Sequence, residues 1–299
     1  MQHELIAMFF GVVGTVIFHI SKGMQQQGIE ILHHIKHKLF RKHDYSILHL
    51  KTKTIIYAAG VFLNNTIGIW IILANRFAPP SYYTSMYGLG LIALLVYSST
   101  ILHEKLKKNE YVGAVMIVLG TIILGLEGLF RKDVDMTDIN AKVIIFITII
   151  FISFSLFLYC FIFDRKSPLQ TGILFGIITG WCASLDQIYK SIGQSLGGSP
   201  GFLPSTPTGI FFFIISFCFT TSAFFMTQYA FAKRARAAVL VPIQNSIYVI
   251  FPIVIQALSL KGFRITVYTI LGMFVITSGI FFMQIFRGNA TYKNEYAIS

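Results

Sequence analysis

Nine apolar stretches, each close to the length that crosses a bilayer, take up most of this 299-residue chain. A helix rises about 1.5 Å per residue, so about 20 apolar residues cross a hydrocarbon core roughly 30 Å thick. The stretches fall at 5–22, 54–73, 81–102, 111–129, 143–163, 171–192, 208–231, 238–258 and 265–286. Only 12% of the residues are charged, 55% are hydrophobic, and the mean hydropathy is +0.70. The pattern predicts an all-α, multi-pass integral membrane protein with about nine transmembrane helices and no separate soluble domain. The polar intervals are short, at 23–53, 131–141 and 194–207. The first stretch lacks a basic leader and an A-x-A-like cleavage site, so it reads as a span and not as a signal peptide. Cys160, Cys182 and Cys218 all fall inside spans, which leaves no disulfide framework and no metal-ligand spacing.

The formal charge of +12 would suggest a nucleic-acid partner in a soluble chain, but the distribution of the basic residues gives it another cause. With the N-terminus outside, the inner loops carry Lys22, six more lysines and arginines up to Lys53, the Lys105–Lys107–Lys108 cluster, Arg165, Lys166, Lys233, Arg234, Arg236, Arg287 and Lys293. The outer loops carry only Arg76, Arg131, Lys132, Lys142, Lys261 and Arg264. This positive-inside asymmetry places the C-terminus in the cytoplasm and makes anionic lipid headgroups, not nucleic acid, the partner of the basic surface. Within 29–42, Ile31, Leu32, Ile35 and Leu39 recur at helical spacing, opposite His33, Lys36, His37, Arg41 and Lys42. That pattern predicts a helix lying in the inner interface. His33 and His37 stand four apart, as a metal pair would, but the neighbouring lysines would repel a cation, so a headgroup-facing surface is the expected role.

Two halves echo each other around the fifth stretch. Ile20-Ser21-Lys22-Gly23-Met24-Gln25-Gln26 ends the first stretch and Ile188-Tyr189-Lys190-Ser191-Ile192-Gly193-Gln194 ends the sixth. Gly113 and Gly120 in the fourth stretch have the spacing of Gly272 and Gly279 in the ninth, two turns apart on one face, where a neighbouring helix can approach closely. Five spans separate the first stretch from the sixth, so the copies would enter the membrane from opposite sides. The expected architecture is a 4+1+4 inverted repeat. Residues 1–130 form the first four-helix repeat, 131–168 the linking fifth helix, and 169–299 the inverted repeat with a short cytoplasmic tail. Such repeats commonly build secondary transporters with a substrate site where the halves meet.

The chemistry expected inside the membrane is sparse. Eleven of the twelve acidic residues lie in loops or near span ends, and Asp186 is the exception. An intramembrane carboxylate costs about 2.5 kcal/mol or more even on insertion scales, which makes it a functional candidate by default. Lys190 lies four residues on and can pair with it along one helix face. The alternative is a self-neutralised pair near the outer interface. Lys22 is the repeat partner of Lys190 or simply the first inner positive charge. Asn64 and Asn65 in the second stretch, Tyr87 in the third, and Gln244 and Asn245 after Pro242 in the eighth are polar groups that would line a central cavity. They serve otherwise as interhelical glue, and the tyrosines as an interface belt. H-E-x-x-H does not occur, and the G-x-S-x-G match at 193–197 follows an apolar stretch of helical length and not a strand, so no catalysis and no cofactor are expected.

Further motifs carry a resemblance. Tyr57-Ala58-Ala59-Gly60, Phe77-Ala78-Pro79, Thr84 and His103-Glu104-Lys105-Leu106 follow one another without gaps. Gln25-Gln26-Gln27-Gly28, Lys190 and Val239-Leu240-Val241-Pro242 extend the pattern over nearly the whole chain. The sequence resembles the NIPA-type branch of the drug/metabolite transporter superfamily. That resemblance implies a magnesium or other divalent-cation transporter, with Asp186 as the metal carboxylate. The alternative is a carrier of a small organic solute, and a membrane-embedded enzyme or a non-transporting membrane protein stands further off. The partners expected are an ion or small solute and the bilayer, with homodimerisation open. The chain departs from the family where an acid is expected: Gly68 replaces the Glu of a Gly-Glu pair, Ile71 an Asn, Ser85 a Pro and Gly262 an acid.

The charge asymmetry sets a testable topology. In a background without the three native cysteines, Asp135→Cys is expected to react with a membrane-impermeant thiol reagent in intact cells. Reaction only after permeabilisation would invert the orientation.

Overall fold

A computed structural model describes residues 2–28, 47–101, 108–130, 139–162, 168–196, 201–233, 235 and 237–285. The predicted interfacial segment at 29–42 and the histidines His33 and His37 lie outside the described residues, as do most of the outer loop at 131–141 and the tail. The described residues are all-helical. The helices are α1 (Gln2–Gly28), α2 (Ile47–Asn75), α3 (Pro80–Ser85), α4 (Gly90–Thr100), α5 (Lys108–Phe130), α6 (Ala141–Ile162), α7 (Pro168–Ser195), α8 (Pro207–Ala232), α9 (Ala237–Ser259) and α10 (Val267–Ile285). In hydrocarbon every backbone N–H and C=O must be bonded within the chain, and a helix does this segment by segment.

Among the described residues, six segments are long and apolar enough to cross a membrane: Gln2–Gly28, Thr52–Asn75, Lys108–Gly128, Ala141–Leu158, Pro207–Ala232 and Val239–Ser259. Three of the nine expected stretches fall short for distinct reasons. The apolar part of α10 is shorter, at Val267–Ile280. Helix α7 is long enough, but Asp186, Gln187, Lys190, Ser191 and Gln194 dilute it. The third stretch, expected as one helix over 81–102, is broken. Pro79 is extended and Pro80 opens α3, which lasts six residues; a single 3-10 turn at Tyr87–Leu89 then leads into α4. Gly88 and Gly90 sit at the break, and a Cβ on Gly90 would lie 2.7 Å from the Thr15 carbonyl oxygen, so the break seats directly on α1.

The solvent preference of the surface is inverted relative to a soluble protein. Phe62, Phe146, Phe211, Phe225 and Phe274 are each more than 60% exposed. Lys22, Asp186, Lys190, Gln244 and Asn245 are each 4% exposed or less. Apolar side chains turned outward around a polar interior are what lipid, not water, selects. Helix α7 is buried along most of its length and α9 nearly so, and these two form the centre. Helix α1 packs on α2 and on the broken α3–α4 unit, α7 packs on α8 and α9, and α5 packs on α10.

Glycines set the closest approaches. Gly120 lies against Gly272, and Gly279 against Gly113, so α5 and α10 run antiparallel with their glycine pairs face to face. A Cβ on Gly120 would stand 2.8 Å from the Gly272 oxygen, and one on Gly279 2.7 Å from the Gly113 oxygen. Between α9 and α10 the chain turns at Gly262, whose φ of +88° favours glycine. That backbone explains why the expected acid is missing there.

Gly120→Ala is expected to destabilise the protein by about 1–3 kcal/mol, because a methyl group cannot enter that contact without parting the helices. Gly68→Ala is the control: nothing lies within 4 Å of a Cβ there, and removing a helix-interior glycine is expected to be neutral or stabilising by up to about 1 kcal/mol. Unfolding of the two variants in detergent micelles checks both.

Candidate functional site

At the centre lies a cavity of about 130 Å³. The candidate residues Lys22 from α1, Asn64 and Asn65 from α2, Tyr87 from the break, Asp186 and Lys190 from α7, and Gln244 and Asn245 from α9 all line it. Gly68, where the resemblance expects an acid, lines it too. Asn65 sits at the margin: it is exposed, and its Nδ2 donates to the Val61 carbonyl of its own helix at 2.8 Å. The tyrosines do not form an interface belt. Tyr82, Tyr83 and Tyr87 are 6%, 1% and 3% exposed, because the break turns them inward toward α1 and α9.

The two intramembrane lysines are held differently. Lys190 Nζ donates to Asp186 Oδ1 one turn back, donates to Thr220 Oγ1 at 3.2 Å, and lies 4.8 Å from the centroid of Phe217. Lys22 has Phe18 four residues back instead of an acid, and its Nζ lies 5.0 Å from that ring. Among the described residues Lys22 makes no ion pair. With two lysines and one aspartate on its wall, the cavity has one more basic group than acidic groups.

His19, one turn before Lys22 on α1, was not among the residues expected at the site, yet it organises one wall. Its Nδ1 lies 2.7 Å from the Thr15 carbonyl oxygen, an acceptor only, so Nδ1 carries the proton. That leaves Nε2 as an acceptor, and Asn245 Nδ2 donates to it. Asn245 Nδ2 also lies 3.4 Å from the Tyr87 carbonyl oxygen, which takes a 2.7 Å hydrogen bond from Thr15 Oγ1 as well. The Tyr87 carbonyl, at the break in the third stretch, is therefore used at the site. Tyr248, one turn beyond Gln244, packs against Tyr87 with ring centroids 4.3 Å apart and the rings tilted by 51°. The i,i+4 spacing from Gln244 was its sequence signal; for His19, only burial inside a span pointed to it.

Beyond each lysine, the helix ends are clasped by amides. Gln25 of α1 accepts at Oε1 from Gln228 Nε2 of α8 at 2.6 Å, and Tyr57 of α2 donates to Gln228 Oε1 at 2.8 Å. At the other end, Gln194 of α7 accepts from Asn75 Nδ2 of α2 at 3.1 Å and donates to the Ile72 carbonyl at 3.1 Å. A second, larger groove of about 830 Å³ runs between α6, α7 and α8, lined mainly by apolar and aromatic side chains with no charged group among them.

Asp186 is not the only buried acid: Glu110 and Glu127 are 2% and 8% exposed at the two ends of α5, and Glu127 accepts from Thr266 Oγ1 at 3.2 Å. Among the described residues no three His, Cys, Asp or Glu side chains gather as a metal site. No family model, curated protein or solved structure matches this chain.

Breaking the buried pair from one side is expected to cost about 3–5 kcal/mol, since the remaining charge is stranded in a low-dielectric interior. Asp186→Leu alone and Lys190→Met alone should each lower the unfolding midpoint in micelles. The double variant should recover most of the loss. Single variants as stable as the wild type would show that the pair is solvated and not buried.

Proposed function

We propose that this protein is a secondary-type carrier that moves a small organic solute across the membrane by alternating access. In this reading it is a divergent NIPA-type member of the drug/metabolite transporter superfamily, with nine membrane crossings arranged 4+1+4. The observation that carries the reading is the central cavity, which gathers the intramembrane charges where the two halves of the chain meet. The packing supports the repeat: α1 sits on α2 and the third crossing as α7 sits on α8 and the eighth, and the fourth and ninth crossings meet through matching glycine pairs. The broken third crossing adds a further sign, since discontinuous helices tend to face substrate in carriers of this kind.

The clasps give alternating access a physical form. Each lies about one turn beyond a buried lysine, at opposite ends of the cavity, and joins helices of different halves. Opening one while the other holds exposes the cavity to one side at a time. Amide hydrogen bonds suit this use because each contributes only about 0.5–1.5 kcal/mol net.

Charge decides between an organic solute and magnesium. Magnesium is usually held by one or two carboxylates plus water. Here the one carboxylate on the cavity wall is engaged by Lys190, and Lys22 adds a positive charge that repels a cation.

The test uses purified protein in liposomes. With Gln25→Cys and Gln228→Cys in a background lacking the native cysteines, a short bifunctional thiol reagent should stop solute uptake, and reductant should restore it. Asn75→Cys with Gln194→Cys should behave the same way. Uptake unaffected by both cross-links would rule out alternating access through these ends. Magnesium flux above that of empty liposomes, in the wild type or only after Gly68→Glu, would return the chain to the cation class.

A further inference from the structure

The hydrogen-bonding state of the cavity wall narrows the solute. Resting on the carrier reading of the same cavity, we infer that its solute is a short monoanion that bears an O–H or N–H donor beside the anionic group. The anionic group sits on Lys22 and the donor on the amide oxygen of Asn245.

The argument for Asn245 runs through His19. The Thr15 carbonyl oxygen can only accept, so it fixes the proton on His19 Nδ1. Nε2 can then only accept, so it takes the Asn245 amide nitrogen. The Tyr87 carbonyl oxygen, within 3.4 Å of the same nitrogen, favours that orientation too. Asn245 therefore cannot flip without losing both contacts, and its Oδ1 is left pointing away from them. Asn245 is 1% exposed, lines the cavity, and has no hydrogen-bond partner at Oδ1. A buried, unpaired amide oxygen is costly, and a site that aims one at a ligand demands a donor there. Gln244, 2% exposed on the same wall, also has an unpartnered Oε1.

The argument for the anion is the charge on Lys22. Lys190 already has Asp186, whereas Lys22 is backed only by the Phe18 ring. A monoanion neutralises the wall; a cation adds to its imbalance. Lys22 and Asn245 line the same small cavity, and Asn245 is held by His19, about one turn before Lys22 on α1. The two groups of the solute must then be neighbours on a short frame. At about 130 Å³ the cavity is slightly smaller than the cavity of about 150 Å³ that takes a benzene-sized guest. The frame is therefore on the order of six heavy atoms. Small 2-hydroxycarboxylates have this shape and chemistry.

The experiment separates binding from transport. Purified full-length protein in detergent is titrated with L-lactate, L-alanine, propionate and magnesium chloride while its unfolding midpoint is followed, and uptake of the same compounds is measured in liposomes. Lactate should raise the midpoint, and propionate, which shares the charge of lactate but lacks the donor, should bind at least about 10-fold more weakly. Alanine, a zwitterion whose ammonium cancels its carboxylate, tests the net charge and should also bind more weakly than lactate. Lys22→Met should remove the response to lactate. Asn245→Leu should bring lactate and propionate to within about twofold of each other while leaving a folded protein. Asn245→Asp, which keeps an acceptor but adds a negative charge, should weaken all of the anions. Propionate or alanine binding as well as lactate would overturn the inference and leave the carrier reading standing. Stabilisation by lactate without uptake would support the binding chemistry and sink the carrier reading. Stabilisation by magnesium alone, or by none of the four, would overturn the inference.

Discussion

Everything at the centre of this molecule depends on keeping ionised side chains inside a bilayer. Lys22, Asp186 and Lys190 are 2%, 4% and 0% exposed, on helices whose outward faces are apolar. Each would cost several kcal/mol to bury unpaired. Asp186 and Lys190 answer that cost with each other and with Thr220. This need explains why α7 takes the middle position. A helix carrying Asp186, Gln187, Lys190, Ser191 and Gln194 along one broad face cannot turn that face to lipid, so its neighbours must cover it. The apolar helices α6 and α8 can face lipid because α7 does not.

The helix-scale plan was legible in the sequence because hydropathy is a property of segments. Runs of about 20 residues predict helices whatever their neighbours, and six described segments meet that measure directly. The broken third crossing was not legible, since Gly88 and Gly90 in an apolar run read equally as close-packing glycines. Only their seating against Thr121 and Thr15 shows that they mark a break. The cavity-lining residues were legible for a related reason: in a span, a polar side chain has few places to go. His19 was missed because its role lies in a chain of contacts, Thr15 to His19 to Asn245, whose members stand 226 positions apart at the far link. The inward turn of Tyr82, Tyr83 and Tyr87 was equally hidden, because an interface belt and a buried cluster have the same composition.

In the proposed repeat, the lysines of α1 and α7 are equivalent positions, and so are the residues before them. His19 matches Gln187, and both reach across to the other half: His19 accepts from Asn245 of the eighth crossing, and Gln187 donates to the Pro80 carbonyl at the start of the third, at 3.2 Å. Gln25 and Gln194, at nearly equivalent positions, each clasp the second helix of the opposite half. Contacts that pair in this way are what a pseudo-two-fold axis through the cavity requires.

The repeat departs from symmetry where charge is concerned. Four residues before each lysine, α7 has Asp186 and α1 has Phe18. An acid at both positions would make the cavity neutral and self-satisfied, with two closed ion pairs and no unmet charge for a solute to answer. A phenylalanine at one of them leaves Lys22 backed by an aromatic face, which steadies a cation without neutralising it. The pair on α7 can then hold the helices together in every state, while the lone lysine on α1 is free to exchange partners. A carrier needs both: a charge fixed for structure and a charge whose partner comes and goes. In the proposed repeat the two duties fall on two equivalent positions, and the residue that divides them is Phe18.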